Sequence, residues 1–138
     1  MTLVSTEWLS NNLSKVKIFD ASWHLPNLKR NAKKEYLEKH IPSALFWDID
    51  EHSDINSSYP HMMASSNYWI KMLLKFGITN HDHIIVYDYS NLYSSCRLWF
   101  ALKYFGHEKV SVLNGGFQKW LKEKKPITKK IENDFSVH

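Results

Sequence analysis

The 138-residue chain has a single cysteine, Cys96, so no disulfide can form within it. It has only two arginines against sixteen lysines, whereas nucleic-acid binders more often interleave arginines with aromatic residues on a defined motif. No apolar run approaches the roughly 20 residues that a membrane helix requires. The first residues also lack the basic start and long apolar core of a secretory signal. We therefore expect a soluble, cytoplasmic protein with neither a nucleic-acid nor a membrane partner, and one cysteine suits a reducing compartment.

Aromatic residues are abundant in this sequence. Six Trp, seven Tyr and seven Phe indicate a well-filled core and an aromatic surface available for an interface. The length is that of one ordinary domain. The formal net charge of +4 is modest, and scattered lysines are typical of a solvated surface.

Alternating apolar patterns predict the fold class. β-type runs predict strands at Lys15–Phe19, Ala44–Trp47, His83–Tyr87 and Lys109–Leu113, with a short one at Leu3 and Val4. Helical patterns begin after Ser5, cover Lys33–Lys39, run from Ser66 to Gly77, run through Cys96 to Gly106, and follow Gly116. This alternation predicts an α/β fold: an open, mostly parallel sheet of about five strands with helices on both faces. Two irregular stretches, 25–32 and 51–64, are long enough to carry function.

The stretch Ile84–Phe105 reads as a strand, a polar loop and a helix. Its strand is predicted to end at Asp88, at the edge of the sheet where α/β domains collect ligands. A nucleophile would be expected in the polar turn formed by residues 88–91. The only cysteine lies eight residues after Asp88, inside the predicted helix.

Several local patterns, taken in order, resemble the rhodanese family. They are His40–Ala44, Phe46–Asp50, Tyr59–Met62, Ile85–Asp88, Asn91–Ser94, Arg97–Trp99, Phe105–His107, Val110–Phe117 and Trp120. The resemblance is to the first half of the two-domain thiosulfate and mercaptopyruvate sulfurtransferases. It implies a rhodanese-like domain of the non-catalytic N-terminal type at residues 1–126. Residues 127–138 would then be a linker or tail leading toward a second domain. One departure is Ser43, where the family usually has glycine.

The chemistry implied by this resemblance is a two-step sulfur relay that needs no cofactor. A cysteine thiolate takes sulfane sulfur from a small sulfur-containing anion as a persulfide and passes it to a thiol or cyanide. In the active domain of the family that cysteine directly follows the fourth strand, and here the position matches Asp88. An aspartate cannot carry a persulfide, so the resemblance implies that the nucleophile belongs to a partner domain. The alternative is a stand-alone, inactive rhodanese-like module that binds or regulates partners.

Three further residues match family positions near the cleft. Asp50 and His61 match a pair that faces the partner domain's cysteine in mercaptopyruvate-type members, where a carboxylate-oriented imidazole can shuttle a proton. The alternative is that Asp50 caps a turn and that His61 is a locally bonded loop residue. Arg97 could bind an anionic donor with its planar fork or pair with a nearby acid. Cys96 takes the place of a family proline, which favours a packing role over a nucleophilic one.

Other site chemistries find little support in the sequence. His81 and His83 lack a third ligand at a recognisable spacing, so no metal site is expected. Asn114–Gly116 does not match a phosphate-binding loop. A phosphatase-like or arsenate-reductase-like activity on the same fold would need a loop cysteine in a C-x₅-R arrangement, and Asp88 stands where that arrangement would start.

Overall fold

The computed structural model describes residues 2–24, 28–48, 66–90 and 94–131, and five of its strands form one sheet. The strands are β1 (Leu3–Val4), β2 (Lys17–Asp20), β3 (Leu45–Phe46), β4 (Ile84–Tyr87) and β5 (Val110–Leu113). Their order is β1-β5-β4-β2-β3, and every neighbouring pair is parallel. The predicted open, parallel sheet is confirmed. The strand ends differ from the predicted ones by one or two residues.

Five α-helices connect or follow these strands. They are α1 (Thr6–Asn11), α2 (Ala32–Glu38), α3 (Ser66–Lys75), α4 (Ser94–Tyr104) and α5 (Gly116–Lys122). The hydroxyl of Ser5 accepts a 3.0 Å hydrogen bond from the Trp8 amide, which confirms the predicted N-cap. The first helix ends at Asn11, before a short 3₁₀ turn at Leu13–Lys15. The side-chain amide of Asn12 donates to the Trp8 carbonyl, and such local bonds compete with helix propagation.

Each face of the sheet carries its own apolar core, because successive residues of a strand point to opposite faces. One core contains Ile84 and Val86 of β4 together with residues of α3 and α4. The other contains Ile85 and Tyr87 with residues of α1 and α5, including the fully buried Trp120. The expectation of helices on both faces is therefore confirmed. Among the described residues, no helix has both the length and the apolarity needed to cross a membrane.

Ser43 adopts the left-handed backbone conformation, with φ of 70°. The Ala44 amide closes the tight turn by donating to the Ile41 carbonyl at 3.0 Å. The left-handed conformation costs a residue with a side chain roughly 1–2 kcal/mol. This cost explains why glycine suits the position in the rhodanese family, which the sequence resembles.

The stretch after α5 returns to the domain at His40. The backbones of His40 and Thr128 exchange two hydrogen bonds of 2.9 and 2.8 Å across an isolated antiparallel bridge. The indole of Trp120 donates to the Pro126 carbonyl at 2.7 Å. These contacts hold residues 126–130 against the fold. The division of the chain at residue 126 remains a prediction.

Candidate functional site

The carboxyl ends of β2 and β4 place two aspartates side by side. Asp20 ends β2, and Asp88 follows the last residue of β4, one residue beyond the observed end of that strand. Asp20 is in register with Tyr87, and the Ala21 amide donates to the Tyr87 carbonyl at 2.8 Å. Both aspartates are buried. The crevice beyond this edge is where open parallel sheets bind their ligands.

The carboxylate of Asp88 is held by backbone amides of its own loop. Its Oδ2 atom accepts a 3.0 Å hydrogen bond from the Ser95 amide in the first turn of α4, and its Oδ1 atom accepts a 3.4 Å bond from the Ser90 amide. A carboxylate at a helix N-terminus satisfies amides that otherwise lack a partner and interacts favourably with the helix dipole. Asp88 thus supplies the anion that these loop amides can bind.

The N-terminus of α5 packs directly against the same loop. The Phe117 amide donates to the Asp88 carbonyl at 2.9 Å, and the Gln118 side chain donates to the Ser90 carbonyl at 3.4 Å. Gly116 has φ of +62°, and a Cβ atom there would lie 2.9 Å from the Asp88 carbonyl oxygen. A residue with a side chain would therefore push α5 away from the loop.

Asp20 joins the end of β2 to the loop after β4 through Ser22. Its Oδ1 atom accepts hydrogen bonds from the Ser22 amide at 2.9 Å and the Ser22 hydroxyl at 2.5 Å. That hydroxyl in turn accepts a 2.6 Å bond from the Tyr89 amide. Burial raises the pKa of Asp20 from 3.8 to about 7, while the Ser22 bonds lower it and the charges of Asp88 and Glu35 raise it further.

Glu35 of α2 is the centre of a second polar network at this edge. Its Oε1 atom lies 2.6 Å from Nε2 of His24, and the Arg30 guanidinium donates to both of its oxygens at 3.0 Å. Arg30 also donates to the Tyr89 carbonyl at 3.2 Å and lies over the Tyr89 ring. The other ring nitrogen of His24, Nδ1, is buried and has no hydrogen-bond partner among the described residues. The network therefore ties β2, α2 and the Asp88 loop together.

The residues predicted from the sequence are only partly brought together. Asp50 and His61 lie outside the described residues, so their pairing stays a prediction. Arg97 is half-buried on α4, and burial lowers the pKa of its guanidinium. It forms no ion pair with any acid in the part of the chain that the structure describes. Of its two predicted roles, pairing with a nearby acid thus finds no partner among these residues.

Cys96 lies half-buried on α4, one residue after the amide that binds Asp88. Burial and the negative charge of Asp88 raise the pKa of its thiol, and a hydrogen bond with Ser95 offsets this in part. Reactive cysteines have a lowered pKa and a positive surrounding, so this environment favours the packing role expected from the sequence.

Sequence reasoning missed Asp20, Ser22, His24 and Glu35. The strand-end pattern that indicated Asp88 also holds for Asp20, which directly follows the strand predicted to end at Phe19. No metal was expected at His81 and His83; in the structure, Nε2 of His83 lies 2.9 Å from the Ser111 hydroxyl. No group of three or more His, Cys, Asp or Glu residues suited to a metal ion occurs in the described ranges.

Comparison with known proteins places these features in a family. A profile of the rhodanese-like domain matches residues 5–123. The chain is 41% identical over 134 residues to the 3-mercaptopyruvate sulfurtransferase of Rattus norvegicus and 43% identical over 134 residues to the thiosulfate sulfurtransferase of Cricetulus griseus. Each match covers 91% of this chain and 45% of the relative, so the chain spans about half the length of these curated relatives.

Solved structures show the same relationship. SseA from Escherichia coli, a 3-mercaptopyruvate sulfotransferase, superposes with a TM-score of 0.88 at 35% identity, over 96% of this chain and 52% of SseA. Tum1 from Saccharomyces cerevisiae superposes with a TM-score of 0.86 at 30% identity, over 100% of this chain and 47% of Tum1. The five-stranded parallel sheet is therefore the arrangement found in about half of each of these proteins.

Proposed function

This chain belongs to the rhodanese-like domain family, and on that basis we propose that it is the N-terminal half of a sulfurtransferase, the half without the catalytic cysteine. The intact protein would move sulfane sulfur from thiosulfate or mercaptopyruvate to a thiol or cyanide. The nucleophilic cysteine would belong to a second rhodanese-like domain. The coverage of about 45% in the sulfurtransferase relatives supports this division.

One observation carries the proposal: the amides of the loop after β4 bind the carboxylate of Asp88. An active loop needs a thiolate at this position, because only a thiolate can attack a sulfane sulfur and hold it as a persulfide. The Asp88 carboxylate cannot form that bond, and its negative charge repels an anionic donor. In this proposal Cys96 does not replace that thiolate, and the raised pKa of its thiol supports this.

In this proposal the chain contributes residues to a site whose sulfur-accepting cysteine belongs to the partner domain. Asp50 and His61 would face the partner's cysteine as a proton shuttle. Arg97, which has no ionic partner among the described residues, would bind the anionic end of the donor. Its planar fork matches a carboxylate or a thiosulfate with two parallel hydrogen bonds.

The direct test is a sulfur-transfer assay on the 138-residue chain, with thiosulfate and cyanide in one arm and mercaptopyruvate and a thiol in the other. We expect no turnover above the buffer rate and no adduct heavier by one sulfur atom in the intact mass spectrum. The Cys96→Ala variant is the control, because it removes the only thiol. Turnover by the natural chain that the Cys96→Ala variant lacks would show that Cys96 is the nucleophile and would overturn the proposal.

A second candidate function is a stand-alone inactive module. This function would also fit the loop after β4, whose amides already bind the Asp88 carboxylate. The two functions differ when a cysteine-bearing rhodanese-like domain is added in trans. As half of a sulfurtransferase, the chain should raise the sulfur-transfer rate of that domain. As a stand-alone module, it should leave the rate unchanged.

A further inference from the structure

An apolar groove lies between the second half of α3 and the turn that follows α4. Its cavity volume is about 340 Å³. The apolar part of its lining consists of Ile70, Leu73, Leu74, Ile78 and Phe105. His107 also lines the groove, and its Nε2 atom lies 2.8 Å from the Asp82 carbonyl oxygen. The groove is therefore lined mainly by aliphatic and aromatic side chains, although it opens at the surface.

Large apolar side chains that water still reaches lie in and beside this groove. Ile70 is 59% exposed and Leu74 is 72% exposed in its lining, and Tyr104, which precedes the lining residue Phe105, is 65% exposed at the end of α4. The Tyr104 ring packs near those of Phe100 and Phe105, with centroid separations of 6.2 Å and 5.0 Å. The exposed apolar surface is thus continuous from α4 into the groove, and surfaces of this kind mark interaction sites.

The charges on the two helices have one sign. Neither α3 nor α4 contains an acidic residue, and together they carry four cations: Lys71, Lys75, Arg97 and Lys103. Two acids lie near the groove: Asp82, which already accepts hydrogen bonds from the amide and hydroxyl of Thr79, and Glu108, which follows the lining residue His107. A second copy of the chain would bring the same cations and a net charge of +4. An acidic partner fits this surface better, because complementary charges favour encounter and register.

The groove and the Asp88 loop lie at opposite ends of β4. Residues 78–80, which line the groove, lie in the loop that leads into the strand, and Asp88 follows the strand. Four residues at about 3.3 Å each separate the two ends by roughly 13 Å. An occupant of the groove would therefore leave the Asp88 edge free for a second domain.

We propose that this groove binds an amphipathic helix of a partner protein, with the apolar stripe of that helix between α3 and the turn after α4 and acidic residues on its flanks. A helix fits because its apolar face can fill a hydrophobic groove with anchors spaced one turn apart. Acidic flanks would lie beside Lys71 and Lys75 of α3. This interaction goes beyond sulfur transfer and does not depend on it.

The test is selection of helical peptides from a phage-displayed library with randomised flanks, using the full 138-residue chain as bait. We expect enriched clones to carry apolar residues at helical spacing with Asp and Glu on the flanks. Binding should weaken at least about tenfold, or about 1.4 kcal/mol, in Ile70→Glu, which places a charge against the apolar stripe. The double variant Lys71→Glu, Lys75→Glu should also bind more weakly, with most of the loss at low salt.

Ile131→Glu is the matched control, because Ile131 is also 59% exposed and does not line the groove. This variant should bind the selected peptides as the natural chain does. Circular dichroism on every variant checks that the fold is kept. Failure to enrich any clone, enrichment of basic or uncharged flanks, or binding that Ile70→Glu leaves intact would each overturn the proposal.

Sedimentation velocity of the natural chain tests the competing occupant, a second copy. We expect a monomer at all concentrations measured. Dimerisation that Ile70→Glu abolishes and Ile131→Glu preserves would assign the groove to self-association instead. None of these outcomes bears on sulfur transfer, so each proposal can fail without the other.

Discussion

Gly116 lies against the backbone of Asp88 so closely that a Cβ atom at residue 116 would be 2.9 Å from the Asp88 carbonyl oxygen. The same carbonyl accepts the hydrogen bond of the Phe117 amide. The loop that carries the candidate site therefore depends on a glycine that is 28 residues away in the sequence, and the contact between them can be tested by substitution.

Gly116→Ala should destabilise the fold by about 2–3 kcal/mol, because it combines a strained left-handed conformation with a clash against Asp88. Gly106→Ala is the matched control: Gly106 also has positive φ, but a Cβ atom there would meet nothing within 4 Å. Urea unfolding followed by tryptophan fluorescence measures both variants. A loss at residue 116 no larger than that at residue 106 would show that the close approach is unimportant.

The buried Asp20 should make stability fall as the pH rises toward neutrality. Its pKa is 3.8 in the unfolded chain and about 7 in the fold, so between these values the folded state binds a proton that the unfolded state has released. The stabilisation is complete below pH 3.8 and is lost as the pH rises through about 7. One such proton changes the free energy of unfolding by up to about 1.4 kcal/mol per pH unit.

Asp20→Asn removes this titration and keeps an oxygen that can accept the Ser22 bonds. We therefore expect the variant to gain stability relative to the natural protein between pH 5 and pH 8, as measured by urea unfolding at each pH. Asp82→Asn, at an aspartate in the loop before β4, is the control. A constant difference between Asp20→Asn and the natural protein across this range would contradict the expected titration.

Much of the fold was predictable because it follows from local patterns. Apolar runs such as Ile84–Tyr87 and the glycines at 115 and 116 locate strands and turns from their own sequence. Element ends were less predictable. The strand predicted to stop at Phe19 extends to Asp20, because Asp20 pairs with Phe46 and Tyr87 from distant parts of the chain.

The candidate site was predictable only where a residue follows a strand directly, as Asp88 does. The network around Glu35 joins His24, Arg30 and Tyr89, and the Arg30–Tyr89 contact spans 59 positions in the sequence. No local pattern indicates such a contact, because it arises from the pairing of β2 with β4. Sequence alone therefore located one side of the site and missed the other.

Asp88→Cys in a Cys96→Ala background should produce a thiol more reactive than the natural Cys96. The Ser90 and Ser95 amides that bind the carboxylate would then favour a thiolate, and a helix N-terminus lowers a thiol pKa. The thiol of Cys96 lacks this help, and burial raises its pKa. We expect alkylation by iodoacetamide at pH 7 to be at least about tenfold faster at residue 88, as for a thiol pKa lower by about one unit. Equal rates would show that the loop no longer favours an anion.

The ring of His40 joins α2 to the last described residues of the chain. Its Nδ1 atom lies 2.6 Å from the Tyr36 carbonyl oxygen, and its Nε2 atom lies 2.8 Å from the Lys130 carbonyl oxygen. The ring is buried and stacks on Tyr36 with centroids 4.0 Å apart. A glutamine side chain has only one amide group, so it cannot reach both carbonyls.

His40→Gln should therefore cost about 1–3 kcal/mol, as expected when a buried carbonyl loses its partner. Release of the stretch around Lys130 should also speed hydrogen exchange at the Thr128 amide, which donates to the His40 carbonyl at 2.8 Å. His81→Gln, at an exposed histidine, should change neither quantity. If exchange at Thr128 stays slow in His40→Gln, the backbone bridge alone holds the stretch, and the ring contributes only to the core.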